Sequence, residues 1–183
     1  MVLKPVKRDP ARLEMADVFR RLDRGGGPIG EPRRIDDFLK SLRGPLGDVV
    51  AAPTVVRGLR TQAMFASLVV ALDGCQMMMT TDSGELFVDE PAKAADFLLV
   101  LRDGRRLVVE VKSFTQQFPT DLMKVSAKEL LRLQRFADML DAELFIAAFM
   151  TSIGQWSLVP AAQSQTSSSR GEFAVEIYAS ASW

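Results

Sequence analysis

Residues 95–113 read ADFLLVLRDGRRLVVEVKS, and this stretch contains two apolar segments separated by a turn. The segments Phe97–Leu101 and Leu107–Val111 are apolar without alternation, which is typical of strands that are covered on both faces. If Arg102-Asp103-Gly104 is a three-residue hairpin loop with glycine in the left-handed region, residues whose numbers sum to 206 lie opposite each other. The stretch therefore predicts two antiparallel strands in a sheet that is covered by helices.

Charged residues stand at the open ends of these two strands. The hairpin register places Asp96 opposite Glu110, and the Cβ atoms of such facing residues are about 5 Å apart. Two carboxylates at that distance can hold a divalent cation, and alternation places Lys112 on the same face as Glu110. This set is suited to phosphodiester hydrolysis, in which Mg2+ polarises a phosphoryl oxygen and an ammonium steadies the attacking water.

The surrounding sequence predicts further helices and strands. A helix is expected over 54–72, followed by strands over 75–81 and 85–88. After the hairpin, Ser126-Ala127-Lys128-Glu129 is a capping box that starts a helix with apolar residues at helical spacing up to Leu140. Strands over 144–150 and 155–159, a Ser-rich loop over 163–171 and a strand over 173–179 follow. The predicted fold class is α/β, with a central mixed sheet flanked by helices.

Composition narrows the chemistry further. The chain has 183 residues, 48% of them apolar and 25% charged, as expected for a soluble globular protein. It contains no histidine, which excludes catalytic triads, Cys-His dyads and every zinc site that needs histidine. Cys75 is the one cysteine, so there is no intramolecular disulfide, and a cytoplasmic location is expected. The sequence shows no signal peptide or membrane-spanning run, so we expect no membrane association.

The first part of the chain differs in charge from the rest. Residues 1–60 carry 13 Lys and Arg against 8 Asp and Glu, whereas residues 61–183 carry 10 against 15. Glycines and prolines interrupt this part, so we expect a small helical extension over 1–53, with short helices over 11–22 and 34–42, before a main domain over 54–183. The basic extension either follows a phosphate backbone or packs against a partner subunit.

The hairpin resembles the PD-(D/E)XK nuclease superfamily, and its continuation resembles the restriction endonuclease-like branch that includes archaeal Holliday junction resolvases. The matching residues are Asp96 at the start of one strand and Glu110-Val111-Lys112 near the end of its partner. A glutamine follows on the next helix as Gln134. The resemblance covers about 54–160 and implies Mg2+-dependent cleavage of DNA, with Mn2+ as a possible substitute.

The resemblance also implies a role for each matching residue. Asp96, Glu110 and the Val111 carbonyl would bind the metal, Lys112 would position or activate the water, and Gln134 would support the site. Many members add a glutamate from the helix before the strands, but no acidic residue occurs over 49–72, where Gln62 is the nearest polar candidate. Either Asp89 or Glu90 supplies a third ligand, or two carboxylates, a carbonyl and waters suffice, or the catalyst is weakened or dead.

Two functions remain open at this point. The leading interpretation is a DNA endonuclease, which would be a homodimer if it cuts two strands. The alternative is a module that keeps the nuclease fold without catalysis and binds DNA or a protein partner, since fold does not imply function. At the level of single residues, Asp96, Glu110 and Lys112 could form an ordinary ion pair across an exposed strand end, and Gln134 could be a solvated or backbone-bonded glutamine.

Overall fold

The computed structural model describes residues 32–81, 86–115, 123–163, 165–167 and 172–175. They belong to two units, with a boundary between Val56 and Arg57. The domain boundary predicted from the sequence lies after Pro53. The helix predicted over 11–22 lies outside the described residues.

Three α-helices occur in this part of the chain. They are α1 (Pro32–Ala51), α2 (Pro53–Leu72) and α3 (Ala127–Met139). Helix α1 continues through Pro45, so the prediction that it ends at residue 42 was wrong. The physical reason is that an internal proline removes one backbone hydrogen bond and bends a helix without necessarily ending it. Helix α2 matches its prediction, and it ends before Asp73, whose φ of 51° is left-handed.

Five strands form a mixed central sheet, and three shorter ones form a second sheet. The strands are β1 (Cys75–Thr80), β2 (Phe97–Leu101), β3 (Arg106–Phe114), β4 (Met123–Ser126), β5 (Glu143–Met150), β6 (Gln155–Pro160), β7 (Gln165–Ser167) and β8 (Glu172–Val175). The central order is β1-β2-β3-β5-β6, and the small sheet has the order β4-β8-β7. Strands β3 and β5 are parallel, and the other neighbours in both sheets are antiparallel.

The β2–β3 hairpin has the predicted register. Phe97 lies opposite Val109 and Val100 lies opposite Arg106, so each pair sums to 206. Gly104 has a φ of 89°, the left-handed conformation that this loop requires and that glycine adopts without steric cost. The register decides which side chains of β3 face each layer of helices.

Each face of the central sheet is covered by a helix. Phe65 of α2 packs in one layer with Phe97, Leu99 and Val109, and its ring centroid lies 5.5 Å from that of Phe97. On the other face, α3 contributes Leu130, Leu133 and Phe136 to a core with Leu98, Val108 and Ile146. The predicted fold class, a central mixed sheet flanked by helices, is confirmed.

Three predictions around the sheets need correction. Residues 86–88 do not form the strand expected there, and Glu85 lies outside the described residues. The loop expected over 163–171 contains β7, because its short polar sequence gains strand geometry by pairing with β8. Strand β8 begins at Glu172, and residues beyond Val175 of the strand predicted to reach 179 are outside the described part.

Helix α2 is the one helix in the described ranges that is long and apolar enough to cross a bilayer. Only its length and composition indicate this, and a core helix of a soluble protein can have the same length and composition. One face of α2 contacts the sheet: Phe65 is 4% exposed, and Gln62 donates a hydrogen bond to Asp96.

We expect Leu133→Ala to lower the free energy of unfolding by about 2–5 kcal/mol. Leu133 lies on the face of α3 that packs on the sheet and is fully buried, so its truncation leaves a cavity. Leu131→Ala on the same helix is the matched control, because Leu131 is 54% exposed; we expect a change within about 0.5 kcal/mol. Urea unfolding followed by circular dichroism measures both. Equal effects would contradict the assigned faces of α3.

Candidate functional site

Glu110 lies on β3 on the face covered by α3, since it alternates with Val109 and Val111 of the opposite layer. Its side chain is 4% exposed, and its Oε1 accepts hydrogen bonds from two ammonium groups, those of Lys93 and Lys112, both at 2.7 Å. Among the described residues, its buried Oε2 has no hydrogen-bond partner. An ionised carboxylate with one unsatisfied oxygen is costly to bury, so this atom marks a place where a ligand would be stabilising.

Glu129 is held close to Glu110 by the start of helix α3. Ser126 is the N-cap, and its Oγ accepts a hydrogen bond from the Glu129 N–H at 3.1 Å, as the capping box predicts. The Glu129 Oε1 accepts from Lys93 at 2.6 Å and from Lys112 at 2.9 Å. Each lysine thus bridges the same two carboxylates. We call Lys93, Glu110, Lys112 and Glu129 the lysine–glutamate cluster.

The backbone around Lys93 is fixed to helix α3 by two hydrogen bonds. The Lys93 N–H donates to the Arg132 carbonyl at 3.1 Å, and Arg135 Nη1 donates to the Pro91 carbonyl at 3.2 Å. Arg135 Nε also pairs with the Glu90 carboxylate at 3.4 Å. Helix α3 therefore positions both Glu129 and the segment that carries Lys93.

Ion pairing shifts the pKa values of three members of the cluster, Lys93, Lys112 and Glu129. Burial by itself would lower the pKa of Lys93 and Lys112, but their contacts with Glu110 and Glu129 outweigh it and raise both pKa values. Burial would raise the pKa of Glu129, but the two lysines lower it below its ordinary value. The two lysines are thus paired with two glutamates, which offsets part of the cost of burying charged groups here.

Asp96 lies immediately before β2 and contacts the neighbouring strand. Its Oδ2 accepts from the Val111 N–H at 2.6 Å, and its Oδ1 accepts from Gln62 Nε2 on α2 at 2.7 Å. The residue is 8% exposed. Gln62 was the polar candidate on the helix before the strands, and it contacts Asp96. Asp96 in turn accepts a hydrogen bond from Val111, the residue after Glu110.

The structure gives two other candidates different partners. Gln134 Nε2 donates to Asp138 Oδ1 on its own helix at 2.8 Å, so its role in the site stays a prediction. Glu90 pairs with Arg135, and Asp89 is exposed.

Sequence reasoning missed Lys93 and Glu129 as members of the site. Glu129 was assigned only its capping function, although an acidic residue in the first turn of the helix after the Glu-x-Lys strand was a usable signal. Lys93 lies three residues before Asp96 and had no motif to mark it.

The donor atoms of the site fit Mg2+. Carboxylate and carbonyl oxygens are the ligands that magnesium takes, and the unsatisfied Glu110 Oε2 is such a donor. The hydrogen bonds to Asp96 do not by themselves prevent coordination, because a carboxylate oxygen has two lone pairs. Within the described ranges, no three Asp, Glu, Cys or His side chains come together as a metal cluster. Any metal here would thus rely on few protein ligands and on water.

Comparisons with known proteins relate this chain to others through its fold. No family model and no curated protein matches the sequence. The chain is similar in fold to an archaeal Holliday junction resolvase. That protein, Hjc of the hyperthermophile Archaeoglobus fulgidus, is 18% identical with a TM-score of 0.51, and the match covers 65% of this chain and 88% of the resolvase. The likeness supports the five-stranded sheet and its flanking helices.

We expect a double-mutant cycle of Lys93→Met and Glu129→Gln to give a coupling free energy of about 0.5–1 kcal/mol, the range of partly exposed ion pairs. Urea unfolding of the wild type, both single variants and the double variant measures it. Arg105→Met with Asp103→Asn is the matched control, because that pair is more exposed and should couple less. Additive effects at Lys93 and Glu129 would contradict the bridging geometry.

Proposed function

We propose that this protein is a metal-dependent endonuclease that hydrolyses DNA phosphodiester bonds, with structured or foreign DNA as candidate substrates. The observation that carries the proposal is Glu110, a buried carboxylate with an unsatisfied oxygen and the Lys112 ammonium 2.7 Å from its other oxygen. The Glu-x-Lys sequence lies on the strand that pairs with the one following Asp96, in a fold similar to that of a Holliday junction resolvase. In this proposal these residues form a hydrolytic site without histidine.

We propose Mg2+ as the cofactor, held by Asp96, Glu110 and the Val111 carbonyl, with Mn2+ as a substitute. When bound, the metal would polarise a phosphoryl oxygen and lower the pKa of a coordinated water. Asp96 is held by hydrogen bonds from Gln62 and the Val111 N–H, which limit the movement of its carboxylate. Gln62 is neutral, so it orients Asp96 without adding negative charge.

Lys112 would act on the attacking water and on the charge that develops at phosphorus. Its ammonium has three donor hydrogens and is 30% exposed, so it can contact both Glu110 and a substrate at the solvent side. Its raised pKa, produced by the neighbouring carboxylates, keeps it in the ammonium form that stabilises negative charge. In this proposal Gln134 has the supporting role assigned from the sequence.

The remaining parts of the proposal concern partners and location. Basic residues in the N-terminal part would contact the DNA backbone, and a homodimer would allow two strands to be cut. We propose a protein without membrane association, because Gln62 and Phe65 commit one face of α2 to the sheet, and we propose a cytoplasmic location from the single cysteine of the sequence.

A non-catalytic module is the second candidate, and one observation favours it. Gln62 stands on the helix where many similar nucleases have glutamate, and no cluster of three acidic side chains exists in the described part of the chain. Such a protein would use the same fold to bind DNA or a protein partner without cutting.

We expect the wild type to cleave at least one member of a panel of duplex, single-stranded, flap and four-way junction DNA in Mg2+ or Mn2+, but not in EDTA. Lys112→Met should lower the rate about 100-fold or more, because it removes the ammonium beside the reaction centre. Arg105→Met, which removes one positive charge near the opposite end of the hairpin, should cleave normally. Equal cleavage by Lys112→Met and the wild type would contradict the assigned role.

We expect Mg2+ at 100 times its dissociation constant to raise the free energy of unfolding by about 2.7 kcal/mol, because binding stabilises the folded state by mass action. Urea unfolding with and without Mg2+ measures the gain. Glu110→Gln should lose it, while Glu143→Gln, an exposed position at the other end of the sheet, should keep it. No gain in the wild type would favour the non-catalytic module.

A further inference from the structure

The lysine–glutamate cluster contains one lysine more than the proposed chemistry uses. Lys112 belongs to the Glu-x-Lys sequence, whereas Lys93 comes from the segment before β2. Both ammoniums contact Glu110 Oε1 and Glu129 Oε1, and the four N···O distances are 2.6–2.9 Å. Two lysines from separate parts of the chain thus make almost identical contacts, which indicates that both can bind the same anionic group.

The two carboxylates of the cluster differ in their access to solvent. The Glu110 side chain is 4% exposed, while Glu129 is 29% exposed and the two lysines are 41% and 30% exposed. Glu110 therefore contacts the two ammoniums from the buried side, and Glu129 contacts them from the solvent side. A molecule approaching from solvent would meet both ammoniums and Glu129 before it meets Glu110.

We infer that Lys93 and Lys112 together bind one phosphate group of the nucleic acid, and that Glu129 holds this position until the phosphate displaces it. A carboxylate oxygen between two ammoniums offers the same contacts as an anionic phosphate oxygen. A phosphodiester carries a single negative charge, as Glu129 does, so the exchange conserves the charge of the pair. The inference rests on the proposed function in taking DNA phosphate as the ligand, and it requires no metal.

Hydrogen bonds of the backbone permit this exchange at both Lys93 and Glu129. The Lys93 N–H donates a hydrogen bond to the Arg132 carbonyl and Arg135 donates one to the Pro91 carbonyl, so the backbone that carries Lys93 stays in place when Glu129 leaves. The backbone of Glu129 is retained by Ser126, so its side chain can turn away without unwinding the helix. Lys93 is thus a phosphate-binding residue, and Glu129 is a positioning residue that acts through the two lysines.

Binding of a labelled duplex and a labelled four-way junction in EDTA tests the inference apart from cleavage. We expect Lys93→Met to weaken binding and to reduce the slope of log Kobs against log salt by about 0.9, the value for one lost contact to duplex phosphate. Lys93→Arg should restore both because it keeps the charge. Arg105→Met, which removes a distant positive charge, should change neither.

Glu129→Gln gives the opposite and more specific expectation. Removing the competing charge should tighten DNA binding roughly two- to fivefold, equivalent to the loss of one partly exposed ion pair. A merely structural cluster would instead lose thermal stability on this substitution without any gain in affinity. Melting temperatures of all variants separate folding defects from binding effects.

The outcomes are distinguishable. Weaker binding by Lys93→Met, restored by Lys93→Arg, together with tighter binding by Glu129→Gln supports the inference, even if the wild type does not cleave DNA in Mg2+. In that case the proposed nuclease activity fails while the phosphate site stands. Failure of the wild type to bind either DNA, unchanged binding by Lys93→Met, or no gain with Glu129→Gln overturns the inference.

Discussion

The charge balance around Glu110 is the constraint on which the site depends. This carboxylate lies between the buried residues Val109 and Val111 of its strand, where an uncompensated ion would cost several kcal/mol. Two ammoniums, from Lys93 and Lys112, satisfy one of its oxygens. The rest of the cluster follows from that need, because two lysines brought to one carboxylate repel each other unless a second anion, Glu129, lies between them. Helix α3 carries Glu129, so the packing of this helix on the sheet also positions the charges of the site.

The hairpin and its partners were predictable because their determinants are local. Gly104 and the apolar runs on each side determine the loop, the register and the two-faced burial of β2 and β3. Ser126 likewise marks the start of α3 by its own hydrogen bond. Such features depend on residues within a few positions of one another, where backbone sterics and hydrogen bonding leave few alternatives.

The rest of the site could not be predicted because it depends on contacts between distant segments. Lys93 and Glu129 are separated by 36 residues and meet only because α3 packs over the face of β3 that carries Glu110. Strand β7 is similar, since its polar sequence carries no strand pattern and its geometry comes from pairing with β8. Helix α1 shows the converse: Pro45 signals a break, but the helix continues through it.

The combination of Gln62 with the lysine–glutamate cluster determines what the site can bind. Asp96, Glu110 and Glu129 contribute three negative charges, and Lys93 and Lys112 contribute two positive charges, so these five side chains together carry a single excess negative charge. A glutamate in place of Gln62 would add another. Under the proposed function, one divalent cation would turn this into a single excess positive charge and would strengthen the attraction to a phosphodiester that the two ammoniums provide without it, whereas a second cation would leave a large positive excess. The charge balance of these five side chains therefore favours the proposal of one metal ion and one phosphate over one with two metal ions.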